Sequence, residues 1–219
     1  MERITLLSII IFLFASIASA QITRGSVYLG GSIGGSTSKI QNSGSSEEGK
    51  STSLSINPAV GVAVRNNLIA GVSLYYSHGK NEHLSYTQNN RFNSYGGGFF
   101  LRKYYPLSNR FYLFGESGLG YSYDKWEYLQ TPGSIFTSVN KGSSVYATVF
   151  PGLAIHVTRS FYFEAAFNDL LTVGYSGSRS TSNNAGSIST SKRNDFLFQS
   201  SLTSGSYLNI GVRFIIPKK

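Results

Sequence analysis

The feature that most constrains this chain is an alternation of apolar with small or polar residues, which repeats with period two along most of the sequence. The clearest example is residues 53–64, where Leu54, Ile56, Val60 and Val62 alternate with small or polar residues. Successive side chains of a strand point to opposite faces, so this period predicts strands with two chemically different faces. The alternating segments, in chain order, are 25–35, 53–64, 68–78, 93–103, 111–123, 144–157, 161–171 and 206–216.

Short and long connections alternate strictly between these eight segments. The short ones are 65–67, 105–110 and 158–160, and the long ones are 36–52, 79–92, 124–143 and 172–205. Transmembrane barrels have short periplasmic turns and long extracellular loops. We therefore predict an all-β fold, an eight-stranded antiparallel up-and-down transmembrane β-barrel with both termini in the periplasm. Within 172–205, the apolar piece Phe196–Phe198 could extend the last strand, form a hairpin or fold back over the barrel mouth.

The positions of the charged residues indicate whether the apolar face of the strands points into the barrel or outward to lipid. A soluble barrel, such as a lipocalin, points apolar residues inward, whereas a membrane barrel points them toward lipid. Few charges lie in the central parts of the strands, and those found share the small, polar face: Arg102, Glu116, Glu164 and Arg213. The opposite face is continuously apolar and would be an aggregation surface in water. We expect that face to contact acyl chains.

The same four charges predict a network in the lumen. Arg102, Glu116, Glu164 and Arg213 lie at similar distances from the short turns, so they should share one depth in the periplasmic half. Neighbouring strands then favour the pairs Arg102–Glu116 and Glu164–Arg213, because buried charges need partners. A gated polar plug and a static network both fit; we favour the static network, since side chains fill an eight-stranded barrel.

The N-terminal segment has the pattern of an export signal. A charged start, Met1–Arg3, precedes an apolar run over residues 4–17 and the small-x-small site Ala18–Ala20. The run is short for a transmembrane helix of about 20 residues. We predict a cleaved signal peptide, residues 1–20, and a barrel domain, residues 21–219. The chain contains no cysteine, which excludes disulfides, thiolate metal sites and a cysteine-linked lipid anchor.

Three stretches of the sequence carry a family resemblance. They are 26–32 (SVYLGGS), 98–121 (GFFLRKYY, a short turn, then FYLFGESGLGY) and 208–214 (LNIGVRF). The chain resembles the small outer-membrane β-barrel proteins common in Bacteroidetes, which are similar in architecture to the transmembrane domain of OmpA. The resemblance implies the fold and a location in the outer membrane of a Gram-negative cell. Such barrels usually end on an aromatic residue, whereas here residues 215–219 follow Phe214.

No residue pattern indicates chemistry at an active site. Serine is too common to be informative, and no G-x-S-x-G elbow is present. We predict no catalytic residues, no metal site, no cofactor and no nucleic-acid partner, although the net charge is +9. The expected partners are outer-membrane lipids and lipopolysaccharide, the barrel-assembly machinery and an extracellular ligand of unknown nature. The favoured role is structural or surface interaction through the long loops. A small pore or apolar-ligand conduit, or a lipid-modifying enzyme, are the alternatives.

Overall fold

A computed structural model describes residues 21–41, 48–83, 88–130, 137–167, 170–184, 186–200 and 208–218. The regular structure of these ranges is entirely β-strand. The strands are β1 (Val27–Gln41), β2 (Glu48–Arg65), β3 (Leu68–His83), β4 (Gln88–Pro106), β5 (Phe111–Gln130), β6 (Thr137–Thr158), β7 (Phe161–Phe167), β8 (Leu171–Asn184), β9 (Ser187–Gln199) and β10 (Leu208–Ile216). No helix in the described ranges is long and apolar enough to cross a membrane. The predicted signal peptide lies outside them.

The strands form one antiparallel sheet that closes into a barrel with eight strand positions. Strands β1 to β6 pair in chain order, and β10 pairs with both β1 and β7. Strand β6 is long enough to pair with two segments, β7 along residues 152–158 and β8 along residues 137–149. The pairs β7/β8 and β10/β9 therefore each occupy one position of the barrel. This confirms the predicted all-β class and the eight-stranded antiparallel barrel.

Three register pairs close the ring between its first and last strands. Val27, Tyr28 and Leu29 pair with Ile216, Ile215 and Phe214. The pairs lie at the end of the barrel that carries the short turns at 66–67, 107–110 and 159–160, which we call the short-turn end. The opposite end is the far end. Phe214, Ile215 and Ile216 are thus the residues of β10 that close the wall.

Apolar side chains stand on the outside of the barrel. Val60 is 47% exposed, Leu74 63% and Phe163 39%, and the outward partners Phe99 and Leu119 are 73% and 63% exposed. Many inward positions of the same strands hold small or polar residues, such as Ser73, Gly98 and Gly118. The alternation in the sequence therefore separates an apolar exterior from a lumen lined by small, polar and, at one end, aromatic side chains.

Aromatic side chains pack the lumen at the short-turn end. Tyr28, Tyr104, Tyr112 and Phe114 are all 2% exposed or less. The chain before β1 folds under them: Ile22 is buried, its amide donates to Asn67 Oδ1 at 2.8 Å, and its carbonyl accepts the Asn67 amide at 2.9 Å. Asn67 adopts a left-handed φ of 59°, which asparagine tolerates in a turn. This end of the barrel is closed by side chains.

The strands continue far into the segments that the sequence assigned to long connections. Strands β5 and β6 reach Gln130 and begin at Thr137, and residues 172–205 contain the β8/β9 hairpin, which takes up Phe196–Phe198. Polar cross-strand contacts stabilise these extensions, such as Ser36 Oγ with Ser53 Oγ at 2.8 Å and Ser138 Oγ with Ser182 Oγ at 3.1 Å. Most residues of these extensions are polar on both faces, so a regular apolar alternation does not mark them in the sequence.

Candidate functional site: a charged network in the lumen

The register of the strands brings the four predicted charges into one layer of the lumen. Arg102 of β4 lies directly opposite Glu116 of β5. Glu164 of β7 lies opposite Gly211 of β10, two residues before Arg213. All four side chains point inward because they occupy the same phase of the two-residue period as the glycines and serines of the lumen.

Arg102 is the centre of this layer and is 3% exposed. Its Nε donates to Glu116 Oε2 at 2.5 Å. Its Nη1 donates to Glu164 Oε2 at 2.7 Å and to Oε1 at 3.0 Å. The guanidinium also lies 4.5 Å from the ring centroid of Phe114 and 5.2 Å from that of Tyr28. One arginine is thus held by two carboxylates and stacked against aromatic rings, a favourable arrangement in a low-dielectric interior.

Glu164 joins the second arginine to the first. Its Oε1 accepts the Tyr104 hydroxyl at 2.7 Å, and its Oε2 lies 3.4 Å from Arg213 Nε. Arg213 Nη1 donates to the carbonyl oxygens of Gly31 and Val212, both at 2.9 Å. Two guanidinium groups and two carboxylates therefore compensate each other within the layer. Compensation of this kind is required because an unpaired buried charge costs several kcal/mol.

The network and the aromatic residues beneath it form one continuous plug. Tyr104 packs edge-on against Tyr112 at 6.0 Å and lies 5.6 Å from Phe114, and Tyr112 lies 5.8 Å from Tyr162. Tyr104 contacts both layers, because its ring packs in the aromatic one while its hydroxyl lies 3.2 Å from Arg102 Nη1. The plug fills the lumen toward the short-turn end.

A cavity of about 260 Å³ lies on the far side of the network. Its floor includes Arg102, Glu116, Glu164 and Arg213, so the charged layer forms its base. Small and polar side chains form most of its walls: Ser32, Asn57, Ser73, Gly118 and Thr148. Further out, Ser94 Oγ donates to Asp124 Oδ1 at 2.5 Å across β4 and β5. The arrangement can hold polar groups or water above a sealed base.

The structure brings together all four residues that the sequence placed in the lumen, and both predicted ion pairs, Arg102–Glu116 and Glu164–Arg213, are present. Arg102 is an additional and closer partner of Glu164, at 2.7 Å against 3.4 Å for Arg213. Sequence reasoning missed Tyr28 and Tyr104 as members of the network. Their position in the two-residue period could have identified them. Tyr104 lies two residues after Arg102 on the same face of β4, and Tyr28 lies on the inward face of β1.

The network is chemically suited to cross-linking the barrel wall, since it ties β4, β5, β7 and β10 together through charge-assisted hydrogen bonds and an ion pair. No protein-family model matches the chain, and comparison with curated proteins finds no match either.

Proposed function

We propose that the chain is a non-enzymatic barrel of the Gram-negative outer membrane, exported by a cleaved signal peptide, with a structural or surface-interaction role. The observation that carries the proposal is the inverted polarity of the fold, with apolar side chains outside and compensated charges inside. The resemblance to small barrels of Bacteroidetes supports the same assignment. Membrane barrels have this polarity, and soluble barrels have the reverse.

The dimensions of the apolar band support a bilayer as its surroundings. On β6 the outward apolar residues run from Val145 to Val157 and include Val149 and Leu153, all of them exposed. These twelve residue steps span roughly 40 Å of strand at about 3.3 Å each, or about 30 Å along the membrane normal at a tilt of about 40°. That height is close to the thickness of the hydrocarbon core of a bilayer, about 30 Å.

The length of the strands supports a role outside the membrane. A strand needs about 9–11 residues to cross a bilayer, whereas β5 has 20 residues and β6 has 22. The surplus extends from the far end as paired strands that are mostly polar. These extensions are the surface that the proposed barrel would offer to an extracellular partner.

Migration of the membrane-extracted protein on a gel, with and without boiling, tests the proposal. We expect the unboiled protein to run as a compact species and the boiled protein to run at its full mass, and we expect it in the outer-membrane fraction. Identical migration, together with recovery of a stable monomer from the soluble fraction, would overturn the membrane assignment.

A second candidate, a small pore or apolar-ligand conduit, is favoured by one observation. Among the described residues, β1 pairs with β10 only as far as Leu29, so beyond that point β1 has a strand partner on the β2 side alone. Residues 32–39 of β1 are exposed on both faces, so the wall is open to its surroundings there. The cavity reaches this part of the wall, since Gly31, Ser32 and Arg213 line it. Planar-bilayer recording separates the two candidates. The structural role predicts no steady conductance, whereas discrete openings that increase in Arg102→Ala would favour the conduit.

A further inference from the structure

Four basic residues lie side by side on the outer surface of neighbouring strands near the far end. Lys125 of β5 pairs in register with Lys141 of β6, Lys141 with Arg179 of β8, and Arg179 with Lys192 of β9. Neighbouring strands are about 4.8 Å apart, so this set, the basic row, spans roughly 14 Å. All four point outward, because they share the phase of Val145 and the other apolar residues on the outside.

Three members of the basic row have no acidic partner among the described residues. Lys125 Nζ forms an ion pair with Glu127 at 2.5 Å, but the ion pairs of the described ranges do not include Lys141, Arg179 or Lys192. These three residues are exposed. Like charges directly opposite one another destabilise a sheet. A row of adjacent cations therefore favours an anion bound across it.

The basic row lies just beyond the apolar band on each of its strands. Four residues closer to the short-turn end, the outward positions hold Tyr121, Val145, Tyr175 and Phe196, which are all exposed. Four residues correspond to about 10 Å along the membrane normal, given the strand rise and a tilt of about 40°. Aromatic residues mark the interface in membrane barrels, and long basic side chains beyond them reach the headgroups.

The surface around these cations is concave. A hollow of about 310 Å³ is lined by Lys141, Arg179 and Lys192 together with Tyr123, Ser143 and Asn194. Hydroxyl and amide groups thus accompany the three cations. Phosphate oxygens accept hydrogen bonds from each of these groups and carry the charge that the cations lack.

We propose that the basic row binds the phosphate groups of an anionic lipid in the outer leaflet, with the acyl chains of that lipid against the apolar band below. This rests on the proposed membrane location. A phosphorylated glycolipid fits both parts of the surface at once: its headgroup phosphates meet Lys141, Arg179 and Lys192, and its chains meet Tyr175 and Phe196. A polyanion without acyl chains would use the basic row alone.

Native mass spectrometry of the folded full-length barrel in detergent, with added diphosphorylated lipid A, tests the proposal. We expect the wild type to retain this lipid in preference to dephosphorylated lipid A and to phosphatidylcholine. The variant K141Q/R179Q/K192Q should bind it on the order of a hundredfold more weakly, at about 1 kcal/mol for each cation near an anionic surface. The matched control R65Q/R110Q/R159Q removes three exposed cations from the short-turn end and should bind as the wild type does.

The other outcomes overturn the proposal. Equal retention of lipid A with and without phosphate would show that the basic row does not select headgroups. Equal weakening in both triple variants would show that only overall charge matters. Competition by inorganic phosphate at the same concentration as the lipid would show that the acyl chains contribute nothing. In each of these cases heat-modifiable migration would leave the membrane assignment standing. A wild type that fails to fold in detergent and stays soluble would overturn both.

Discussion

Glu164 is the residue on which the lumen network depends most, because it contacts both Arg102 and Arg213 while 2% exposed. Glu164→Gln removes the charge and keeps the shape. We expect the free energy of unfolding to fall by about 3 kcal/mol or more, since one partner of a buried ion pair is lost. Urea unfolding in lipid vesicles, followed by fluorescence of the single tryptophan, Trp126, measures it.

Asp195→Asn is the matched control, because it makes the same chemical change in an exposed pair with Arg193. Exposed ion pairs contribute about 1 kcal/mol or less. Similar losses in the two variants would mean that Glu164 does not hold a buried charge in place.

At this scale the sequence predicted the members of the network better than their geometry. Counting residues from the short turns placed Arg102, Glu116, Glu164 and Arg213 at one depth, and the register brings them together. The choice of partner depends on how far each side chain reaches across the lumen, which the two-residue period does not encode. Tyr104 was missed because a tyrosine on a strand is usually expected to contribute its ring to packing. Here its hydroxyl also donates a hydrogen bond to Glu164.

Phe99 of β4 and Leu119 of β5 lie opposite each other on the outside of the barrel, and both are well exposed. We predict that Leu119→Arg destabilises the barrel in a bilayer by about 1–3 kcal/mol, because Leu119 lies two residues inside Tyr121, between the midplane, where an arginine on the lipid side costs about 2–4 kcal/mol, and the interface, where it costs about 1 kcal/mol or less. The urea titration used for Glu164 measures this as well.

Val139→Arg is the control for Leu119→Arg, because Val139 lies outward on β6, two residues beyond Lys141 and therefore past the apolar band. It should change stability by less than about 1 kcal/mol. If Leu119→Arg were equally neutral, that face would be meeting water rather than lipid.

Strand β10 closes the barrel with its last residues, so the C-terminus has a defined structural role. Deletion of residues 215–219 removes two of the three register pairs with β1 and the buried Ile215. We expect this variant to lose heat-modifiable migration, because an unclosed barrel leaves two unpaired edges. Deletion of 217–219 alone keeps all three pairs and should migrate as the wild type does. Normal migration of both variants would contradict this role.

The strands were predictable where their two faces differ and unpredictable where they do not. Residues 53–64 alternate strongly, and β2 covers them. The structure begins that strand at Glu48 instead, in a stretch of polar residues whose pairing depends on hydrogen bonds to β1 and β3. The β8/β9 hairpin was one of three open alternatives for Phe196–Phe198, because the rest of β9, residues 187–195, is mostly polar. Polar strands have no apolar period to detect.

For the whole molecule, the closed barrel followed from two signals, the period-two pattern and the alternating connection lengths. Its polarity followed from a third, the position of the charged residues on the small, polar face of the strands. The division of two barrel positions into β7/β8 and β10/β9 did not follow from them. It arises because β6 is long enough to pair with two successive segments. The location of the barrel in a membrane stays a prediction that depends on which solvent meets the apolar band.

Site-directed spin labelling measures directly whether lipid or water surrounds a chosen position of the barrel. Because the chain contains no cysteine, each introduced cysteine carries the only label. In the barrel folded into vesicles, we predict that a nitroxide at Leu119→Cys collides readily with oxygen and is shielded from a water-soluble nickel complex. A nitroxide at Asn109→Cys, in an exposed short turn, should show the reverse. Equal access of the nickel complex to both positions in the folded barrel would contradict an apolar band embedded in lipid.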